Sequence, residues 1–196
     1  MQKKKTQHQQ IIDLVMMSLL TAFTILFSCL GSFIPIGGTS LNLALVPVIL
    51  GAAMYGKYCG GWLGFVSGAF ILITGQAAWF LTFSIAGTII TVLVKGFVSG
   101  FLAGFIYELL RNYNKLVAMI VCAAVCPIVN TSIFLLGCFT FFYPTMASYA
   151  HAGGVSVVAY VFTTFVTINF VVELIVNVVL GPTLHRIINI WYKEKA

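Results

Sequence analysis

From Ile11 to Leu184 one long apolar run follows another, separated by gaps of a few polar, glycine or proline residues. A helix that crosses a bilayer needs about 20 predominantly apolar residues, so this repetition commits the chain to lipid before any single residue is considered. Charged residues are 7% of the 196, against about 25% in soluble domains, too few to make a water-facing surface. Inside lipid every backbone N–H and C=O must find a partner within the protein, which successive runs of this kind achieve as helices. The expectation is an all-α, polytopic membrane protein formed by a single domain over residues 1–196, with no room for a soluble catalytic domain.

Six spans are read: Ile11 to Gly31, residues 41–56, 60–75, Thr82 to Leu110, 116–138 and 156–184. Pro35, Gly37 and Gly38 mark a turn-rich connection after the first, Gly75 and Gln76 break the third, and an aromatic loop from Phe139 to Gly154 precedes the sixth. Residues 1–10 and 187–196 are read as tails. The first run is kept as a span, because Asp13 lies within its start and no A-x-A-like cleavage site follows. An even number of spans puts both termini on one side of the membrane. Lys3, Lys4, Lys5, Lys57, Arg111, Lys115, Arg186, Lys193 and Lys195, nine of the ten basic residues, fall on that side, and loops 32–41, 76–81 and 139–155 carry none. The positive-inside rule makes it the cytoplasm. Scattered singly between apolar runs, these cations form no basic stripe, so no nucleic-acid partner is expected.

Spans three and four each carry small residues every fourth position: Gly60, Gly64 and Gly68, then Gly96, Gly100 and Gly104. The pentapeptide Gly-Phe-Val-Ser-Gly occurs in both, at 64–68 and 96–100. Such stripes let helix backbones approach closely, and tight packing within one chain is the preferred reading over an oligomer face. Cys29, Cys59, Cys122, Cys126 and Cys138 lie in or beside apolar segments without metal-ligand spacing, and are read as small packing residues.

Against this background the polar groups inside the spans stand out. Lys95 is 13 positions from the start of span four and 15 from its end, a placement near mid-membrane that demands protein or water around the charge. Glu173 is the acidic residue at comparable depth, and Asn169, Glu173 and Asn177 recur every four residues on one helical face. Span five adds Pro127, Asn130, Thr131 and Ser132. Two readings stay open: a structural ion pair of Lys95 with Glu173, or convergence of Lys95, Asn130, Asn169 and Glu173 on a polar ligand, with Asn42, Gln76 and Trp79 completing the pocket. Catalysis finds no support, since no H-E-x-x-H, no acidic pair with metal-ligand spacing and no G-x-x-x-x-G-K-[ST] phosphate loop occurs. No enzyme activity, cofactor or metal is expected.

The layout resembles the S components, the substrate-binding membrane subunits of energy-coupling factor (ECF) transporters for vitamins. The resemblance rests on the six spans, the Pro/Gly loop after the first, Leu43-Ala44-Leu45-Val46-Pro47 with Gly51, and the glycine-rich third span. The A-x-x-x-A stripe by which such subunits contact their coupling partner has its nearest match at Ser18 to Ala22, with serine first. The resemblance implies a multi-pass protein of a prokaryotic plasma membrane that binds a vitamin with high affinity from outside. It also implies association with a transmembrane coupling subunit, through Ser18 and Ala22, and with two ATP-binding subunits. The ligand would sit in the outer half between spans four to six under a lid of residues 36–42, met by Lys95, Asn130, Asn169 and Glu173, with the depth of Lys95 and Glu173 fitting support of the contacting residues. A lysine among amides suits a small carboxylate rich in hydroxyl and amide groups, for which pantothenate is the best match. The alternative is a self-sufficient secondary carrier or channel for a polar solute.

Overall fold

The computed structural model describes residues 7–36 and 39–194. Of the residues named above, Lys3, Lys4, Lys5, Gly37, Gly38 and Lys195 lie outside the described residues. The chain runs α1 (Gln7–Ser32), β1 (Pro35–Ile36), β2 (Thr39–Ser40), α2 (Leu45–Tyr55), α3 (Lys57–Ile73), α4 (Ala78–Leu81), α5 (Ile85–Leu110), α6 (Lys115–Thr140), α7 (Tyr143–Ala152), α8 (Val157–Val161), a π-helical turn (Phe162–Val166) and α9 (Thr167–Glu194). Apart from the two-residue antiparallel ladder of β1 and β2, the architecture is helical.

Four helical segments are long and apolar enough to cross a membrane: Gln7–Ser32, Ile85–Leu110, Lys115–Thr140 and Ile168–Ile190. A fifth candidate is the pair Tyr143–Ala152 and Val157–Val166, bent by 97° at its break. Helices α2 and α3, with 11 and 17 residues, reach only about 16 and 26 Å at 1.5 Å per residue. The second span therefore does not begin as a helix at residue 41. Residues 41–44 instead form an irregular stretch after β2, and Leu41 and Asn42 line a cavity, a setting in which non-helical backbone is tolerated at membrane depth.

Three other segments differ from the sequence reading. The aromatic loop from Phe139 to Gly154 is largely helical, because α6 continues to Thr140 and α7 starts again at Tyr143 with Pro144 in its first turn, where a missing N–H costs nothing. The last span is not one regular α-helix over 156–184, since the π turn interrupts it. Nor does helix end at 187. Ile188 is buried with Leu184 against α2 and α6, which carries α9 on through residues read as a tail.

Local signals set the other boundaries. Ser84 caps α5 by accepting from the Gly87 N–H at 3.1 Å, and Asn114 caps α6 by accepting from Leu116 and Val117 at 2.9 and 3.2 Å. A single residue, Gly56 at φ +90°, separates α2 from α3. Glu108 of α5 closes that corner, accepting the Lys57 N–H at 3.2 Å and pairing with its ammonium at 3.6 Å.

The glycine stripes face each other. A Cβ on Gly60 or Gly64 would collide with the carbonyl oxygen of Gly100 or Gly96, and the converse holds for Gly96 and Gly100. Further along, a Cβ on Gly68 would lie 2.7 Å from the Val92 carbonyl oxygen, and one on Gly104 2.6 Å from Lys57 Cα. The pairings 60 with 100, 64 with 96 and 68 with 92 are those of one antiparallel seam within a single chain, as the internal-packing reading expects. At the Gly104 end of the seam a core of Leu45, Val48, Ile49, Leu63, Met119 and Ile188 closes the bundle, with Cys59, Cys122 and Cys126 among its packing residues. At the opposite end an aromatic core gathers Phe80, Phe142, Met146 and Phe165, with Cys138.

Because the seam is backbone against backbone, Gly96→Ala is expected to lower stability by about 1–3 kcal/mol or more, the cost of overpacking. Gly181→Ala is the control: its Cβ would meet Ile120 at 3.5 Å, an ordinary contact, and stability should hold. Thermal unfolding of the purified variants in detergent measures the difference.

Candidate binding cavity

The first third of α5, the last third of α6, the start of α9 and the residues leading into α2 enclose one cavity. The space between its lining atoms is about 870 Å³ counted out to the open mouth. It starts where the glycine seam stops, and Thr88, Thr91, Val92 and Lys95 bring one face of α5 into it.

Two walls of opposite character result. One is polar: Lys95 and Thr91 from α5, Asn130 from α6, Asn169 and Glu173 from α9, and Asn42 before α2. The other is aromatic, made of Phe80, Phe134, Phe142, Phe165 and Phe170. The Phe80 ring lies 5.5 Å from Phe134, 5.3 Å from Phe142 and 5.5 Å from Phe165, which locks this wall as a unit.

On the polar wall, hydrogen-bonding capacity is left over. The Lys95 ammonium lies 5.3 Å from the Phe134 ring centroid, a cation–π contact, and makes no ion pair with Glu173. Asn130 is buried with Oδ1 unpartnered, and Thr91 is buried with Oγ1 unpartnered. Buried polar atoms are normally satisfied, so a cluster of such atoms around one cavity marks a place suited to a polar guest. Glu173, by contrast, is engaged: Oε1 accepts the Asn42 backbone N–H at 2.9 Å and Asn169 Nδ2 at 3.4 Å. Asn177 lies behind it, donating to the Glu173 carbonyl at 2.7 Å without reaching the cavity.

Six of the seven residues assigned to the pocket from sequence, Lys95, Asn130, Asn169, Glu173, Asn42 and Gln76, come together here. Gln76 is tied into the rim, accepting from Ser40 Oγ at 3.0 Å and donating to Thr74 Oγ1 at 2.8 Å. Trp79 does not line the cavity. Its ring packs on the outside of the aromatic core, 4.5 Å from Phe83 and 5.1 Å from Phe80. The helix that carries Lys95 begins at Ile85 rather than Thr82, so Lys95 stands about 15 Å from that end and about 22 Å from the other, off the middle and on the cavity's side. Sequence reading missed Thr88, Thr91 and the phenylalanines. The spacing of Thr88, Thr91 and Lys95 on one face of α5 was a usable signal, whereas phenylalanine is as frequent on lipid-facing surfaces as around a pocket.

The family model described as "ECF transporter, substrate-specific component" matches residues 13–184, most of the chain. The chain belongs to that family. No curated protein and no solved structure matches it. As a substrate-specific component it is a membrane-embedded transport subunit, and Ser18 and Ala22 lie on the exposed face of its α1. The Ser18, Thr21 and Thr24 hydroxyls of α1 donate to their own helix, Ser18 to the Leu14 carbonyl at 3.0 Å, Thr21 to Met17 at 2.8 Å and Thr24 to Leu20 at 2.8 Å, while Ser28 meets Ser67 of α3 at 3.4 Å.

Since Lys95 makes no ion pair with Glu173 within 4 Å, Lys95→Met should leave the substrate-specific component at or above its wild-type thermal midpoint, the apolar stem still resting on Phe134. A fall of roughly 3–5 kcal/mol, as when one member of a buried ion pair is removed, would instead show that Lys95 and Glu173 pair in the membrane.

Proposed function

We propose that the chain is the high-affinity substrate-binding subunit of an ATP-driven ECF-type importer in a prokaryotic plasma membrane, and that its cargo is a water-soluble vitamin with a small carboxylate, pantothenate fitting best. The observation that carries this reading is the Lys95 ammonium, without an ion pair to Glu173 within 4 Å, in a cavity with spare capacity at Asn130 and Thr91 and lined also by phenylalanines. Pantothenate offers a carboxylate for the ammonium, hydroxyl and amide groups for Asn130, Thr91 and Asn42, and a gem-dimethyl group for the aromatic wall. The cost of holding a charge in the bilayer favours a guest that neutralises it.

In this reading the chain crosses the membrane six times, through α1, the residue 39–44 stretch with α2, α3, α5, α6, and α8 with α9, and both termini are cytoplasmic. Lys57, Arg111 and Lys115 sit at the α2–α3 and α5–α6 corners, in keeping with the nine-to-none partition of basic residues. The cavity then opens outward. The chain is no enzyme. A transmembrane coupling subunit and two ATP-binding subunits supply the energy, and Ser18 and Ala22 form the face that the coupling subunit approaches.

A thermal-shift series over the common water-soluble vitamins tests the cargo. A ligand at about 100 times its dissociation constant stabilises the folded state by about 2.7 kcal/mol, and pantothenate is expected to give the largest shift. Lys95→Met should weaken its binding about 10- to 150-fold, the range for a hydrogen bond to a charged group. Stabilisation by neutral or cationic vitamins alone would overturn the assignment. A second measurement tests the coupling face: Ser18→Leu is expected to abolish ATP-driven uptake in proteoliposomes containing the full complex while leaving binding intact, since the added volume blocks a helix contact and not the cavity. Saturable uptake by the purified chain alone, without ATP, would favour a self-sufficient carrier.

A further inference from the structure

Ser40 at the end of β2, with Leu41 and Asn42 leading towards α2, forms a strap that lines the cavity. Most of its hydrogen bonds are local: the Leu41 N–H donates to the Ile34 carbonyl at 3.1 Å, Leu43 to Leu41 at 3.1 Å and Leu45 to Asn42 at 3.4 Å. Such bonds shape the strap without fixing it to the bundle. Two others do fix it. Ser40 Oγ donates to Gln76 at the end of α3, and the Asn42 backbone N–H donates to Glu173 Oε1 on α9, 131 residues away in sequence. The second is the more deeply placed, because Glu173 is only 3% exposed and an N–H left unpaired at that depth is costly.

We propose that Glu173 is the latch of this strap: by accepting the Asn42 N–H its carboxyl holds residues 40–42 shut over the cavity, and so sets how often the cavity opens rather than what binds in it. The carboxyl is built for that task. Asn169 Nδ2, one turn before it on α9, donates to the same Oε1 that the strap uses, and Asn177, one turn after, anchors the local backbone through the Glu173 carbonyl. Lys95, on the same polar wall, makes no ion pair with it within 4 Å, so the acceptor stays available to the strap. A backbone N–H is indifferent to the side chain at 42, which explains how a strap is held by a residue position whose own amide makes no contribution to the bond.

The inference rests on the cavity being the substrate site for its meaning in transport, but its test needs no substrate. Thr91→Cys places a thiol on the cavity wall at a hydroxyl that makes no hydrogen bond, and its reaction with an anionic methanethiosulfonate reagent in detergent, followed by mass spectrometry, reports opening of the strap. Adding Glu173→Leu should speed that reaction about tenfold or more, the factor expected for loss of one hydrogen bond of this kind. Glu173→Gln, which keeps an acceptor in place, should bring the rate back to within about threefold of the parent. Ser40→Ala, which removes the other tie, should accelerate it less than Glu173→Leu and serves if the leucine variant does not fold.

The native thiols of Cys122 and Cys126, fully buried in the opposite core, are the internal control. An unchanged rate at position 91, or a parallel rise at Cys122 and Cys126 that betrays general loosening, overturns the latch. Sodium pantothenate makes a separate arm. If it fails to protect the introduced thiol while Glu173→Leu still accelerates its modification, the substrate assignment fails and the latch stands.

Discussion

The contact between the α3 and α5 backbones governs the rest of the molecule. Lipid offers no hydrophobic gain for bringing helices together, so association depends on how closely their surfaces fit. Four glycines, Gly60, Gly64, Gly96 and Gly100, meet so closely that a single methyl on any of them would strike the opposing carbonyl. The seam holds the bundle shut at the end where Gly56 turns α2 into α3. At its far end, past Gly68 and Val92, the glycines stop and ordinary side chains resume. The helices can no longer touch backbone to backbone there, and the cavity opens between Thr88, Thr91 and Ile71.

The polar wall of that cavity is assembled from parts that would each be unwelcome in a membrane. Lys95, Asn130, Asn169 and Glu173 come from three helices, and no two of those helices alone would bury them acceptably. The chain disposes of part of this polarity internally, through the bonds between Glu173, Asn169 and Asn42, and leaves the remainder facing the cavity. The cavity thus concentrates a shortfall of hydrogen bonds in one place, beside a well-packed aromatic wall.

Much of this was legible in the sequence, for reasons that differ from residue to residue. Lys95 and Glu173 were visible because charges within apolar runs have so few benign explanations, and the glycine stripes because their spacing matches the helical turn. The second span was misread because apolar content cannot distinguish a helix from an irregular segment whose backbone is satisfied by a distant side chain. The Asn42 N–H is satisfied by Glu173, and nothing near position 42 announces that. The helix at Tyr143–Ala152 was hidden by aromatic and small residues that look like loop. Trp79 reads as a pocket residue because interface and pocket tryptophans share the same sequence neighbourhood, whereas its ring packs on Phe80, Phe83 and Tyr149 outside the cavity lining.

The back-bonding of hydroxyls along α1 has a consequence for how this helix can change company. Ser18, Thr21 and Thr24 have the small volume that a close helix contact needs, yet each donates its proton to a carbonyl one turn back. Of the three, Ser18 stands at the surface, where its side chain can trade acyl chains for another surface without breaking its own hydrogen bond. Any exchange at that position would be governed by shape rather than by hydrogen bonding.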